Sequence, residues 1–459
     1  MKIVFLQHLW YEWQAPMILS AIAKQKGHTA ELYIEPNPIT AALRVVERGA
    51  DLVAFASVVT GNMDYVYACA KQIKEIAEIP IVAGGPHISL FYKNLSLEFI
   101  DYMEVGEGEL SFAGLLDVLE NKASIYNVPG LYYADKGSYR INQPKTIANL
   151  DTIPVVDRDL YYSYGVFRNE KVRLFYSGRG CKYSCKHCCV PLLSQLNCQP
   201  QVRRRAPDSL VDEILQIKQR YGLKAAFFQD DTFTQDPLWL EDFLPLYRDK
   251  IGKPLMCMSR AADITSRTAE LLKAAGCVSV GIGIETSNEK TRMTVLGREE
   301  GNQYISEAIS LLKNNGIKVT TFNMIGIPSE TMQDVIDTIR FNHENRVDSP
   351  WGVLYQPYIG KGKALSQNSY FGNFYSKLGY DHPESAHMEK VQKLLPLLVK
   401  GPRFINILIK VIPAPAAYLL FAAYSFLREV RIWRRSFFIT LWVGIKNQLV
   451  YRKNYGQKG

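Results

Sequence analysis

Residues Val172-Arg173-Leu174-Phe175-Tyr176-Ser177 lead into Gly180-Cys181-Lys182-Tyr183-Ser184-Cys185-Lys186-His187-Cys188, and this stretch decides the fold of the larger half of the chain. Its first six residues read as a strand, and the glycine-led run after them as a loop carrying three cysteines. The same alternation continues downstream. Strand patterns recur at 224–229, 255–259, 278–284, 318–325 and 352–356, with helical patterns at 207–220, 267–275, 303–314 and 331–342 between them. Pro207 at a helix start, and Gly276 and Gly316 at helix ends, obey the expected asymmetry of helix termini. Six βα units in succession predict a partial (β/α)6 TIM-like barrel over 171–360, with function at the carboxyl ends of its strands.

Upstream, residues 1–125 alternate short apolar runs (2–6, 29–33, 51–57, 79–83, 101–105) with helical patterns, which predicts a Rossmann-like doubly wound α/β domain. Two glycine-rich turns, Gly84-Gly85-Pro86-His87 and Gly106-Glu107-Gly108-Glu109, fall at carboxyl ends of strands, where ligands settle in such sheets. Residues 126–170, with Pro129, Gly130, Pro144 and Pro154, read as a linker holding a small hairpin (131–133 and 139–142). The remainder, 361–459, reads as a helical region. Its seventeen uncharged residues 411–427 are fewer than the roughly 20 needed to span a bilayer, and Pro413 and Pro415 interrupt them.

The chain has 459 residues, 47% hydrophobic and 22% charged, a globular composition of two or three domains. Disordered, collagen-like and fully membrane-embedded classes are excluded. The apolar run at the start is too short for a secretory signal. Eight cysteines, four of them between Cys181 and Cys189, do not form a disulfide framework pattern, so a reducing cytoplasm is expected. The net charge of +9 is uneven: from residue 400 onward there are eleven Lys and Arg against one acid, Glu429. The body is therefore close to neutral, which argues against a nucleic-acid reader. Arg428, Arg431, Arg434 and Arg435 sit between the apolar segments 414–427 and 437–450. Two readings of this tail stand side by side. One is a peripheral patch on the inner face of the membrane, suited to a lipid or other hydrophobic substrate. The other is a helical cap over the barrel mouth with solvated arginines.

Three thiolates, Cys181, Cys185 and Cys188, separated by three and then two residues, suit one face of an iron–sulfur cluster, because soft anionic sulfur is the preferred ligand of such clusters. Three cysteines leave one iron open to a non-protein ligand, which points to chemistry at that iron. The alternative is a zinc-stabilised binding protein without turnover, its metal held by Cys181, Cys185, Cys188 or Cys189, and Cys198 or His187. Structural zinc usually pairs two knuckles, and no second knuckle is present.

The Cys-x3-Cys-x2-Cys run at the head of a βα array resembles the radical S-adenosylmethionine (radical SAM) superfamily over roughly 172–356. The resemblance implies a four-iron, four-sulfur (4Fe-4S) cluster on Cys181, Cys185 and Cys188, with S-adenosylmethionine on the open iron and cleaved to methionine and a 5′-deoxyadenosyl radical. It further implies the methionyl ammonium at Asp230 or Asp231, the ribose or carboxylate at Ser259 and Arg260, and the ribose hydroxyls at Glu285. The segment Phe322-Asn323-Met324-Ile325-Gly326-Ile327-Pro328, with Asn323 and Ile325, resembles the one that lies along the adenine. His187 departs from the aromatic usual before the third cysteine.

The N-terminal domain is similar to the cobalamin-binding domain of many such enzymes. The resemblance implies cobalamin against Ser57, Thr60, Gly84 and Gly85, with His87 and Glu107 orienting its side-chain amides. The Asp-x-His-x-x-Gly motif that supplies a histidine to cobalt elsewhere is absent. The implied activity is C-methylation of an unactivated carbon in a small-molecule or lipid substrate, fed by an external one-electron reductant such as flavodoxin or ferredoxin. Ring formation or rearrangement without methyl transfer is the alternative within the same superfamily.

Overall fold

The structure, a computed structural model, describes residues 1–196, 202–357, 378–431 and 434–455. The chain divides into two units, one comprising 1–169, 189–200 and 445–459, the other 170–188 and 201–444.

The first unit is built on a seven-stranded sheet. Its strands are β1 (Lys2–Gln7), β2 (Thr29–Ile34), β3 (Leu52–Phe55), β4 (Ile81–Gly84), β5 (Tyr102–Glu104), β6 (Leu131–Asp135) and β7 (Ser138–Ile141), in the order β2-β1-β3-β4-β5-β6-β7. Strands β1 to β5 are parallel. Ile3 to Leu6, Leu52 to Phe55 and Ile81 to Ala83 are all buried, because helices cover both faces of the sheet. Alternation sorts the sides. Val4 and Leu6 join Ala41, Val45, Val66 and Ile73 of the helices Pro38–Glu47 and Met63–Ile76, whereas the Phe5 ring meets Phe112 of the helix Gly108–Leu119 at 6.0 Å. The hairpin expected within the linker is an extension of this sheet: β6 pairs antiparallel with β5, placing Tyr132 opposite Met103. It covers a sheet edge that would otherwise present unpaired backbone groups.

The second unit contains β8 (Val172–Phe175), β9 (Gly178–Arg179), β10 (Arg203–Arg204), β11 (Ala225–Phe228), β12 (Leu255–Ser259), β13 (Cys277–Glu285), β14 (Lys318–Ile325) and β15 (Ser349–Leu354). Six of them form the parallel sheet β15-β14-β13-β12-β11-β8 of a partial barrel, and β9 and β10 form a small antiparallel pair. Strand β15 starts three residues ahead of its predicted start and includes Pro350, which an edge strand tolerates. The outer face carries Phe228, Cys257, Val280 and Ile282 against the surrounding helices, with an aromatic group in which Trp239 and Phe243 stack at 4.5 Å. Each such buried aromatic contributes about 1.5–3 kcal/mol relative to exposure. The inner face is apolar too, with Leu174, Phe227 and Met256.

The tail closes the β15 edge. The helix Ser385–Lys400 packs Val391, Leu394 and Leu395 with Ile325 and Leu354, and Gln392 donates to the Gly352 carbonyl at 3.3 Å. The helix Ala414–Arg431 buries Ala417 and Phe421. Its Tyr424 hydroxyl lies 2.8 Å from the Ser349 hydroxyl, and its Arg428 guanidinium sits 3.6 Å from the Trp351 ring centre. Ser349 and Trp351 belong to the amino end of β15, so the helix Ala414–Arg431 seals an edge at the end away from the mouth. Among the described residues no helix is long and apolar enough to cross a membrane.

Candidate active site

The cysteine loop leaves β8 through β9, where a Cβ on Gly178 would come within 2.5 Å of the Arg203 carbonyl oxygen, and turns at Gly180 with φ +86°. Side chains from other strand ends then hold it. Gln235 Nε2 donates to the Gly180 carbonyl at 2.9 Å, and Gln235 Oε1 accepts from the Lys182 amide at 2.8 Å. Buried Asp263, just beyond β12, takes the Lys182 ammonium at 2.7 Å and the Tyr183 hydroxyl at 2.7 Å. At the far side the Lys186 amide donates to the Leu296 carbonyl at 2.9 Å, and the Cys188 amide to the Cys185 carbonyl at 3.1 Å.

Cys181, Cys185 and Cys188 are consequently three half-buried thiols on one braced loop. Cys181 Sγ lies 3.6 Å from the Thr232 hydroxyl, and Cys185 Sγ accepts from Arg260 Nη1 at 3.3 Å. Burial pushes the Cys185 thiol up, while Arg260 and Arg298 pull it toward the thiolate. A soft sulfur set with a cationic N–H donor beside it fits an iron–sulfur cluster. Among the described residues no three His, Cys, Asp or Glu converge on a point suited to a single metal ion. Cys189 directly precedes the helix Val190–Leu196, and Cys198 lies outside the described residues.

Beside Cys185 lies a compact charge network. Arg260 binds Glu300 through two edges, Nη2 at 2.8 Å and Nε more closely, and its guanidinium stacks 3.7 Å from the Tyr183 ring centre. Arg298 donates to Glu285 Oε1 at 2.7 Å and to the Gly283 carbonyl at 2.8 Å, and also lies 3.4 Å from Glu300. Burial pushes the Glu300 carboxyl up, but the two arginines outweigh it and hold the group down at about 2. Glu285 has φ +67°, in the region L-residues avoid, and its carboxylate is folded back over Gly283.

The other expected S-adenosylmethionine contacts divide into two groups. Asp230 is buried and accepts from the Ser177 amide at 3.1 Å, the Ser177 hydroxyl at 2.6 Å and Arg204 at 3.1 Å. Asp231 is the exposed member of the pair. Ser259 is bonded to the Thr234 hydroxyl. Asn323 is buried, its amide donating to the Trp351 carbonyl at 3.1 Å and accepting from Asn342 at 2.9 Å, and Ile325 packs with Val335 and Ile339. Both lie on the helix-facing side of β14. Strand alternation puts Phe322 and Met324 on the inner side, where a Cβ on Gly281 would meet Phe322 and Met258 at 2.7 Å.

In the first unit three loops are knitted together at the carboxyl ends of β3, β4 and β5. The Val58 amide donates to the Gly84 carbonyl at 2.9 Å, the His87 amide to the Val58 carbonyl at 3.0 Å, and the Gly106 amide to the Ser89 hydroxyl at 2.9 Å. Gly85 is required by this approach: it has φ +138°, and a Cβ would lie 2.3 Å from the Val58 nitrogen. Gly84 faces Glu104, whose Oε2 would be 3.2 Å from an added Cβ. Ser57 carries φ +63°. The Thr60 hydroxyl lies 3.0 Å from His87 Nδ1, and Glu107 Oε2 accepts from the Ile147 amide at 3.2 Å. Burial holds His87 at about 4, so its ring is neutral at physiological pH. Neutral hydroxyl and imidazole groups of this kind suit the amide-fringed rim of a corrin. Gln235, Asp263, Arg298, Glu300 and Glu104 were not foreseen, since none lies in a motif.

Residues 175–341 match the radical SAM superfamily model, and residues 13–116 match the B12 binding domain model. An uncharacterized methyltransferase of Pyrococcus horikoshii is 28% identical over 321 residues, covering 68% of each chain. The anaerobic magnesium-protoporphyrin IX monomethyl ester cyclase of Rubrivivax gelatinosus is 23% identical over 352 residues, which are 72% of this chain; the chain spans 58% of that protein's length. Among solved structures, the radical S-adenosylmethionine methyltransferase TsrM of Kitasatospora setae, with cobalamin and a 4Fe-4S cluster bound, superposes with a TM-score of 0.64 at 17% identity, covering 77% of this chain and 72% of that one.

Proposed function

The chain is a radical SAM enzyme with an N-terminal B12-binding domain, and from this premise we propose that it transfers a methyl group to an unactivated carbon of a hydrophobic substrate. When bound, the cluster and cobalamin supply the electron that cleaves S-adenosylmethionine and the methyl group that is passed on. The protein's own residues do the placing. Gln235, Asp263 and the Leu296 carbonyl fix the cysteine loop; Asp231 and Glu285 offer charge at the strand ends for the polar parts of S-adenosylmethionine, while Arg260 is turned to Cys185; Leu174, Phe227 and Met256 keep water from the barrel interior.

The observation that carries this reading is the braced loop of three thiols in a chain that also holds a B12 domain. The cyclase relative favours a second reading, ring formation without methyl transfer. Isotope separates the two: with methyl-deuterated S-adenosylmethionine and a chemical reductant under anaerobic conditions, a methyltransferase product gains the labelled methyl mass. A product that forms together with 5′-deoxyadenosine yet stays unlabelled overturns methylation.

The reading includes a cytoplasmic location, an external one-electron donor and an anionic bilayer as the surface from which substrate is drawn. Support for the bilayer lies in the tail. Phe404, Ile407 and Val411 form one exposed stripe at helical spacing, Leu419, Leu420 and Leu427 another, and Phe437, Phe438, Leu441 and Trp442 a third, with Phe438 80% exposed. Arg403, Lys410, Arg431 and Arg434 are exposed alongside them, while the single acid, Glu429, is neutralised by Arg428 and Arg435. Apolar stripes edged by exposed cations complement anionic headgroups.

A further inference from the structure

We propose that Arg260 is a positioning residue that sets the reduction potential of the cluster through Cys185, an inference that rests on the cluster reading above. Its guanidinium has three usable edges, and the structure shows how each is spent. Nε and Nη2 form the bidentate pair with Glu300, and the flat face lies on Tyr183. Nη1 is left pointing at Cys185 Sγ, 3.3 Å away. Arg298 also reaches Glu300, at the Oε1 that Arg260 Nε engages, so the clamp does not depend on a single ion pair. Arg260 is buried, which removes the freedom an arginine normally has to swing toward solvent.

A cationic N–H donor aimed at a ligating sulfur acts in a known direction. Reduction adds negative charge to the cluster, and a fixed positive donor stabilises the more negative state. Glu300 partly offsets the charge of Arg260, but its oxygens engage the edges turned from the sulfur. The group nearest the sulfur is therefore the positive one. The clamp thus makes the cluster easier to reduce by a physiological donor than an uncompensated trio of thiolates would be. Tyr183 lies between Cys181 and Cys185, so the loop that presents the sulfur also supplies the platform for the guanidinium.

The test is an anaerobic redox titration followed by electron paramagnetic resonance, with S-adenosylmethionine omitted so that its contacts do not enter. Wild type, Arg260→Gln and Arg260→Lys are compared after iron and sulfide analysis. The expected result is a midpoint that falls in Arg260→Gln and is partly restored in Arg260→Lys, at iron contents equal to wild type. An unchanged midpoint in iron-replete Arg260→Gln overturns the proposal. Should that variant fail to retain iron, Arg260→Lys alone decides, because it keeps the charge and loses the fixed N–H: a smaller fall supports the clamp and no change overturns it. Wild-type protein that binds no iron overturns the cluster reading itself, a failure recognised before any potential is measured.

Discussion

Tyr183 donates a 2.7 Å hydrogen bond to Asp263, fastening the loop of three cysteines to a residue eighty positions further along the chain. Asp263 also takes Lys182 of the same loop. Asp263→Ala strands the Tyr183 hydroxyl, a loss of about 1–3 kcal/mol, and leaves the Lys182 ammonium to the Gln235 carbonyl alone. Iron bound per chain after anaerobic reconstitution is expected to drop in this variant and to stay closer to wild type in Asp263→Asn, which keeps an acceptor for Tyr183.

Replacing Cys181, Cys185 or Cys188 singly with Ala is expected to abolish both the iron–sulfur absorption and 5′-deoxyadenosine formation. The fold should survive, since the loop's anchors are the Lys182 and Lys186 amides and not the thiols. Cys189→Ala should leave the iron content as it is. Retained 5′-deoxyadenosine production in Cys185→Ala would refute the ligand assignment.

Glu104 supplies a pH signature. Burial raises its carboxyl from 4.5 to about 8; the Ser111 hydroxyl pulls it down and Glu109 adds to the rise. The folded protein thus keeps a proton that the unfolded chain releases above about pH 4.5, and stability is lost as pH climbs from there to about 8. Glu104→Gln mimics the protonated acid. Its melting temperature should match wild type near pH 4.5 and exceed it increasingly toward pH 8, by roughly 2–4 kcal/mol in unfolding free energy at the upper end. A constant difference across that range would remove Glu104 as the titrating group.

Gly85→Ala tests the B12 domain separately from the cluster. The added Cβ would overlap the Val58 backbone at a φ that alanine avoids, costing at least about 2 kcal/mol locally and prising the β3 and β4 loops apart. Cobalamin retained through gel filtration is expected to fall several-fold while iron content holds. Equal retention by variant and wild type would place the corrin elsewhere.

The tail prediction is read by flotation. Wild type should rise with phosphatidylglycerol vesicles but not with phosphatidylcholine ones, and added salt should weaken the association. Phe438→Asp and Leu419→Asp alter exposed side chains, so they should diminish flotation without lowering the melting temperature. Undiminished flotation of both variants would dismiss these stripes as the contact surface.

The strands were legible because parallel strands covered on both faces are continuous apolar runs, as Leu52 to Phe55 and Ala225 to Phe228 are. The three thiols were legible because they sit within one short loop. The residues that brace them were not: Gln235, Asp263 and the pair Arg298 and Glu300 come from three separate segments, and a polar residue buried in a loop is spelled like a solvated one. Asp230 illustrates the difficulty, since its partners Ser177 and Arg204 are each more than twenty residues away in sequence. Asn323 and Ile325 belong to the expected segment, yet parity turns them toward the helices and gives the inner side to Phe322 and Met324.

Because the helices Ser385–Lys400 and Ala414–Arg431 shield the last strand of the barrel, trimming the carboxyl terminus is not a neutral operation. A chain shortened near residue 400 would bare Trp351, whose ring centroid lies 5.2 Å from that of Phe421, and invite self-association. Point replacements are therefore the cleaner way to probe the tail, and natural shortening of this region would be expected to travel with a redesigned terminal strand.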